Sequence, residues 1–149
     1  MNHGTLWLQA EIGEALMTAL TLSGKLEVAC DSGGKLLPAF CHHSSPPYRV
    51  PSFLLTLAAD QERAGRWEDL KPVIRALRNH EKTLDRGLMG IRYNALLSRA
   101  ALRAGRKKEA QVRRERAVQI ASAVLALQKS PPFREAFLAI PDVRDLLGA

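Results

Sequence analysis

Two glycine turns, spaced forty residues apart, constrain this chain more than any other feature. The first is Ala64-Gly65-Arg66, followed by Trp67 and Leu70, and the second is Ala104-Gly105-Arg106, followed by Ala110. Each glycine stands between two segments whose apolar residues recur at helical spacing, and glycine is the residue that most often follows a helix end. The pattern therefore predicts an all-α fold built from antiparallel helical hairpins.

The composition agrees with a helical globular protein. The 149 residues are enough for one domain with a core, and aromatic residues make up only 5% of the chain. Strands favour aromatic and β-branched residues, so their scarcity favours helices. No apolar run reaches the roughly 18 residues of a membrane span, and the first residues lack the basic start of a secretion signal. We expect a cytoplasmic protein with no membrane partner.

Helical periodicity can be followed along most of the chain. In the first segment, residues 6–22, the apolar residues recur at the spacing of one helical face: Leu8, Ile12, Leu16, Ala19 and Leu20. Further helices are predicted over residues 50–64, 68–80, 89–103 and 107–127. A short helix is expected from Pro131, and residues 141–147 form a possible last turn.

Residues 24–49 give the least definite pattern. Gly24 precedes Gly65 by 41 residues and predicts a third copy of the turn, but Asp31-Ser32-Gly33-Gly34 argues against a helix after it. One alternative is a β-hairpin with its turn at Gly33-Gly34, joining residues 25–29 to residues 35–40. The others are a degenerate first repeat and a junction within a larger protein. We accordingly divide the chain into residues 1–49, an N-terminal helix with a degenerate repeat or linker, and residues 50–149, the helical repeats with a C-terminal cap.

Aligning the two turns reveals a repeated pattern. Four positions of the first copy match four of the second: Leu57, Gly65, Trp67 and Leu70 with Leu97, Gly105, Lys107 and Ala110. On these residues the chain resembles the tetratricopeptide repeat family. It is most similar to the divergent variety, of roughly 40 residues, found beside signalling ATPases, nucleotide cyclases and bacterial transcription regulators. The resemblance implies an α-solenoid fragment that binds protein partners, with the segment from Phe133 to Pro141 as its terminal cap. The alternative is a generic helical bundle.

The positive charge is concentrated in the repeat region. Between residues 62 and 116 there are sixteen Lys and Arg against seven Asp and Glu, a net charge of +9, whereas the remaining residues carry −2. A basic surface of this kind favours an acidic partner, which is a protein, a peptide or a nucleic acid. A solvated arginine-rich surface with no partner is the other interpretation.

Four arginines are the candidate partner-binding residues. The resemblance places ligand-facing residues on the first helix of each pair, which selects Arg63, Arg92, Arg99 and Arg103. The last three are spaced by seven and four residues, so they share one stripe of one helix, where like charges repel. Carboxylates would offset that repulsion, since guanidinium groups bind them in bidentate fashion. We therefore expect binding of an acidic protein or peptide within a bacterial signalling or regulatory protein.

A basic helical domain associated with nucleic acid is the alternative function. Residues 103–116 are rich in Lys and Arg and could contact a phosphate backbone, although no aromatic residue lies among them to stack on bases.

Catalytic chemistry has no recognisable pattern in the chain. The residues Cys30, Cys41, His42 and His43 are the one cluster of metal-ligand types, and their spacing differs from that of a zinc site. No nucleophile, base and orienting acid occur in a recognisable order. We predict no enzyme activity, no cofactor and no bound metal; an enzyme with an unrecognised site is a third hypothesis.

Overall fold

The computed structural model describes residues 3–41 and 49–148. These residues form eight α-helices and no β-strand, which confirms the predicted all-α class. In chain order the helices are α1 (His3–Leu22), α2 (Leu26–Phe40), α3 (Arg49–Arg63), α4 (Trp67–Arg78), α5 (Gly87–Arg103), α6 (Lys107–Leu127), α7 (Pro131–Ala139) and α8 (Pro141–Leu147). The predicted helices therefore agree with the observed ones to within two residues, except that α1 begins three residues earlier and that α2 was not predicted as a helix.

The helices belong to two compact units, Met1–Thr83 and Leu84–Ala149. In the first unit, α1 packs against α2 and α3, and α3 packs in turn against α2 and α4. In the second unit, α5 lies against α6, and α8 contacts α5, α6 and α7. The predicted boundary between residues 49 and 50 falls inside the first unit; as a boundary between repeats it stays a prediction.

Three interhelical turns share one backbone conformation. Gly24, Gly65 and Gly105 have φ values of +76°, +71° and +77°, a region that glycine adopts without the steric cost of a Cβ atom. The residue after each glycine donates its N–H to the carbonyl five positions earlier, at 2.8 Å in all three turns: Lys25 to Leu20, Arg66 to Gln61 and Arg106 to Ala101. The turn expected at Gly24 from spacing is therefore present.

The helix after each turn also begins in the same way. Ala29, Leu70 and Ala110 each stand five residues after the turn glycine, and all three are buried. Their N–H groups donate to the carbonyls of Lys25, Arg66 and Arg106, which starts the helical hydrogen-bond ladder at the same position in each copy. The turn thus fixes which side of the following helix is buried.

Residues 26–40 form a helix, so the β-hairpin alternative for this segment is wrong. The buried residues of α2 recur at helical spacing: Ala29, Cys30, Gly33, Leu37 and Phe40. A Cβ atom at Gly33 would lie 2.7 Å from Leu57 Cδ1 and closer still to Met17 Sδ, so this glycine allows α2 to approach α1 and α3. Gly33 therefore reflects close packing rather than a turn, whereas Gly34 has open space around it. The sequence also predicts a polar, proline-ended linker over residues 41–47, of which all but Cys41 lies outside the described residues.

The packed face of α1 differs from the predicted one. Leu6, Ala10 and Met17 are fully buried, whereas the predicted Leu8, Ile12 and Leu16 are 49%, 58% and 47% exposed. The reason is the glycine on the buried stripe. A Cβ atom at Gly13 would lie 2.7 Å from Leu36 Cδ1 and 2.9 Å from Phe53 Cε2, so only this side of α1 fits against its neighbours.

The core of the second unit joins α5 and α6 to the two C-terminal helices. It consists of Ile91, Ile120, Ala121, Phe137 and Val143. Arg134 of α7 donates to the carbonyl oxygens of Leu125, at 2.8 Å, and Gln128, at 3.0 Å, at the end of α6. These donors satisfy acceptors that a helix end leaves without intrahelical partners.

The adjacent glycines of α2 give a matched pair of variants. We expect Gly33→Ala to destabilise the protein by about 1 kcal/mol, because its new methyl group must displace the fully buried Met17 and Leu57. Gly34→Ala has no atom within 4 Å of its new Cβ, and we expect it to stabilise by about 0.5–1 kcal/mol through helix propensity. Urea unfolding measures both changes, and equal stabilities for the two variants would contradict the packing.

Candidate binding surface

Helix α5 carries the arginine stripe on its exposed side. Its exposed residues are Leu88, Arg92, Arg99, Leu102 and Arg103, while most of its other residues are buried inside the second unit, to which α5 belongs. The predicted stripe of Arg92, Arg99 and Arg103 therefore faces solvent along one side of one helix. We refer to these three residues as the arginine stripe.

The arginine stripe already holds one carboxylate. Arg99 Nη1 lies 3.0 Å from Asp142 Oδ1, and Asp142 stands in the first turn of α8. The contact shows that a carboxylate reaches the stripe with good hydrogen-bond geometry. It also supplies part of the negative charge that offsets repulsion between Arg99 and Arg103. The sequence analysis did not select Asp142 as a partner of the stripe. Its only local signal is its position directly after Pro141, at the start of a short terminal helix.

Arg63 belongs to the first unit and has a different environment. It is the last residue of α3, with a side chain that is 61% exposed, and its Nη1 lies 3.8 Å from Asp60 Oδ1. Asp60 is buried and accepts a hydrogen bond from the Thr21 hydroxyl at 3.1 Å. Burial raises the pKa of Asp60, while the Thr21 hydrogen bond and the charge of Arg63 oppose that rise. Arg63 is therefore an exposed cation next to a buried acid, on a different helix from the arginine stripe.

The basic segment at residues 103–116 is partly neutralised within its own unit. Arg106 Nε donates to Glu109 at 2.7 Å, and Arg116 forms an ion pair with Asp85. Arg113 donates to Asn94 Oδ1 at 3.3 Å and lies 5.8 Å from the centre of the Tyr93 ring. Lys107, Lys108 and Arg114 are exposed. The segment therefore presents fewer unengaged cations to a phosphate backbone than its composition indicates.

The predicted turn residues occupy structural positions. Gly65 and Gly105 form the turns, Trp67 begins α4 half-buried, and Leu70 and Ala110 are buried.

The sequence analysis assigned no role in the turns to the arginine that follows each of these glycines. Arg66 and Arg106 each donate Nε, at 2.7 Å, to an acid three residues later, Asp69 and Glu109. The signal was available, since Gly-Arg-x-x-acid occurs at both turns. Each of these two arginines therefore connects its turn to the helix that follows.

Arg66 makes a further contact to α2. Its Nη1 donates to Asp31 Oδ1 at 2.8 Å and lies 3.4 Å from Glu27 Oε2. The hydrogen bonds to Asp31 and Asp69 raise the pKa of Arg66, so the guanidinium is fully charged. The arginine thereby joins the turn before α4 to α2.

Two buried groups of the first unit titrate away from their ordinary ranges. Burial raises the pKa of the Cys30 thiol, and the nearby Arg66 only partly offsets this, so the thiol stays protonated and unreactive at neutral pH. His80 is 3% exposed, and neither ring nitrogen has a hydrogen-bond partner among the described residues. Burial lowers the pKa of His80, which keeps its imidazole neutral.

The described residues contain no group of three or more His, Cys, Asp and Glu side chains arranged to hold a metal ion. Cys30 and Cys41 are free thiols. His42 and His43, the other members of the predicted cluster, lie outside the described residues. Within the part of the chain that the structure describes, no helix has both the length and the hydropathy to cross a membrane.

Comparison with models of protein families, with curated proteins and with solved structures finds no match. The tetratricopeptide resemblance therefore depends on the residues of this chain.

The buried His80 predicts a pH-dependent loss of stability. Its folded pKa lies below 6.5, so the unfolded state binds more protons as pH falls below that value, and stability decreases by at most about 1.4 kcal/mol per pH unit. Asp60 acts with the opposite sign. Because its pKa is raised in the folded state, protonated Asp60 stabilises that state at low pH, and this stabilisation is lost as pH rises through the folded pKa.

Comparing variants separates these two contributions. We expect His80→Leu to gain stability relative to the natural protein when the pH is lowered from 7.5 to 5.5, measured by urea unfolding at each pH. A stability difference that stays constant over this range would show that His80 does not titrate differently in the two states.

Proposed function

We propose that this chain is a protein–protein interaction scaffold of the tetratricopeptide type that binds an acidic protein segment along the arginine stripe. The observation that carries the binding mode is the contact between Arg99 and Asp142 at 3.0 Å. An acidic side chain from α8 already occupies the central arginine, in the manner that an acidic peptide would. Arg92 and Arg103 flank it at seven and four residues on the same exposed stripe.

The three equivalent turns support the scaffold class. Gly24, Gly65 and Gly105 follow one another at intervals of 41 and 40 residues and share their φ values and hydrogen bonds. Repetition of this kind is the basis of helical solenoids, in which each hairpin buries its apolar stripe against the next. We propose a solenoid fragment with α7 and α8 as its cap, acting in a bacterial signalling or regulatory protein.

Charge reversal on the stripe tests the binding mode. We expect Arg99→Glu with Arg103→Glu to weaken binding of a fluorescent deca-glutamate peptide at least tenfold at 50 mM salt, because it replaces two attractions with repulsions. The matched control is Arg75→Glu with Arg78→Glu, two exposed arginines of α4 that give the same change in net charge. Fluorescence anisotropy measures the affinities. An equal loss in both double variants would mean that only net charge matters, which contradicts a specific stripe.

Removing the internal carboxylate should have the opposite effect. We expect Asp142→Asn to raise the affinity for the same peptide by about two- to fivefold, since a peptide carboxylate would no longer compete with Asp142 for Arg99. The paired variant Asp145→Asn changes net charge equally on an exposed residue of the same helix and should have a smaller effect. Unchanged affinity in Asp142→Asn would place peptide binding away from Arg99.

Nucleic-acid association is the competing outcome of these experiments. A 20-base-pair DNA duplex bound more tightly than the peptide at 50 mM salt, with affinity falling steeply as salt rises, would favour a basic nucleic-acid-associated domain over the scaffold. We expect no measurable binding of this duplex at 150 mM salt, because Arg106, Arg113 and Arg116 are engaged within their own unit.

A further inference from the structure

Helix α1 is apolar on two opposite sides, and the residues that the structure describes cover only one of them. Its buried stripe contains Leu6, Ala10, Gly13 and Met17. Its exposed stripe consists of Leu8, Ile12, Ala15, Ala19 and Leu22, at successive intervals of four, three, four and three residues. We refer to these five residues as the α1 seam. Intervals of this kind form the a and d positions of a coiled-coil heptad, and a helix that is apolar all round is normally buried all round.

The apolar side chains of the α1 seam expose a large fraction of their surface to solvent. Leu8 is 49% exposed, Ile12 58% and Leu22 83%, and Leu16 beside the seam is 47% exposed. Isolated exposed leucines are ordinary, but a contiguous apolar row along a helix is typical of an interaction surface.

The α1 seam carries no charge. Between Thr5 and Leu22 the charged residues are Glu11 and Glu14, and α3 engages both. Glu11 lies 3.8 Å from Arg49, while Glu14 accepts hydrogen bonds from Ser52 at 2.8 Å and Thr56 at 3.0 Å. The carboxylates therefore belong to the α1–α3 contact, and the opposite side of α1 is free of charge.

We propose that the α1 seam binds the α1 seam of a second copy of this chain, as an antiparallel pair about a two-fold axis near Ala15. An isologous contact sets the same surface against itself, which is favourable only where that surface lacks like charges. Most other exposed surfaces of this basic chain would repel their own copies, because residues 62–116 carry a net charge of +9. The proposal is independent of the arginine stripe.

The sizes of the side chains favour the antiparallel direction. With the axis at Ala15, Leu8 lies opposite Leu22 of the second copy, Ile12 lies beside Ala19, and Ala15 meets its own counterpart. Ile12 is then matched with the small Ala19 on either side of the central Ala15 pair, so that the two helices approach closely in the middle of the seam, and the Leu8–Leu22 pairs lie at its two ends. In a parallel pair, Ile12 would meet Ile12 and Ala19 would meet Ala19, which leaves the helices unevenly spaced.

A lipid surface is a poorer occupant than a second copy. Helices that lie on membranes carry Lys and Arg on their polar side, and α1 carries neither residue.

The size of the α1 seam limits the strength of the dimer. It spans about 21 Å, from the helical rise of 1.5 Å per residue. A seam of this length approaches only the lower limit for a specific interface, about 1,000 Å² in total. We therefore expect reversible association with a dissociation constant on the order of tens of micromolar.

Sedimentation equilibrium of the whole chain between about 2 and 500 µM tests the association. We expect a monomer–dimer equilibrium that Ile12→Glu weakens at least tenfold, because the dimer then buries two negative charges, one from each copy, in an apolar contact. The matched control is Leu102→Glu, which adds the same charge at an apolar residue of similar exposure, 61%, in the second unit. The control should dimerise like the natural protein. A chain that stays monomeric at 500 µM, or one that both variants weaken equally, would overturn the proposal.

Oxidative cross-linking tests the direction. In a Cys41→Ser background, which leaves only the buried Cys30, Ala15→Cys should form a disulfide-linked dimer, as should the double variant Leu8→Cys with Leu22→Cys. Leu8→Cys by itself should stay monomeric, because its counterpart lies at the far end of the antiparallel pair. Efficient cross-linking of Leu8→Cys by itself would show a parallel pair and overturn the assignment, whereas Ala15→Cys meets its counterpart in either direction and reports only that the seams pair.

Discussion

The left-handed glycine between paired helices is the constraint on which the rest of the structure depends. At Gly24, Gly65 and Gly105 the chain leaves one helix and begins the next through the same hydrogen bonds, so the following helix starts in a fixed rotational position. In that rotational position the residue five places after the glycine is buried. The same position also sets the spacing between helices, which Gly13 of α1 and Gly33 of α2 fit because they lack a side chain. The arginine after the second and third turns reinforces the geometry through its acid three residues on.

Sequence reasoning succeeded where one local signal had one meaning. Helices α3 to α6 and the turns between α3 and α4 and between α5 and α6 followed from helical periodicity and from single glycines at helix ends. It failed at Gly33, because a glycine pair serves equally well in a tight turn and in a close contact between helices. It also chose the wrong side of α1, where both sides are apolar. Only contacts with Leu36 and Phe53, on two other helices, show that the side with Gly13 is the buried one.

The candidate site was likewise predictable only in part. The spacing of Arg92, Arg99 and Arg103 placed them on one side of α5, and they are exposed there. The acidic partner of Arg99 was not predictable, because Asp142 lies 43 residues beyond it and reaches it only through the packing of α8. The same holds for Arg113 and Arg116 of α6, which contact Asn94 and Asp85. Local composition therefore overstates how much positive charge the second unit offers to a partner.

The contact between Arg134 and the end of α6 has a consequence for where this chain can be shortened. One guanidinium holds the carbonyls of Leu125 and Gln128, while Phe137 and Val143 fill the core beside Ile91 and Ile120. A polypeptide ending before Pro131 would lose the donors for those carbonyls and leave that core open to water in one step. The last two helices are therefore a structural part of the second unit, and any minimal fragment of it has to extend through Leu147.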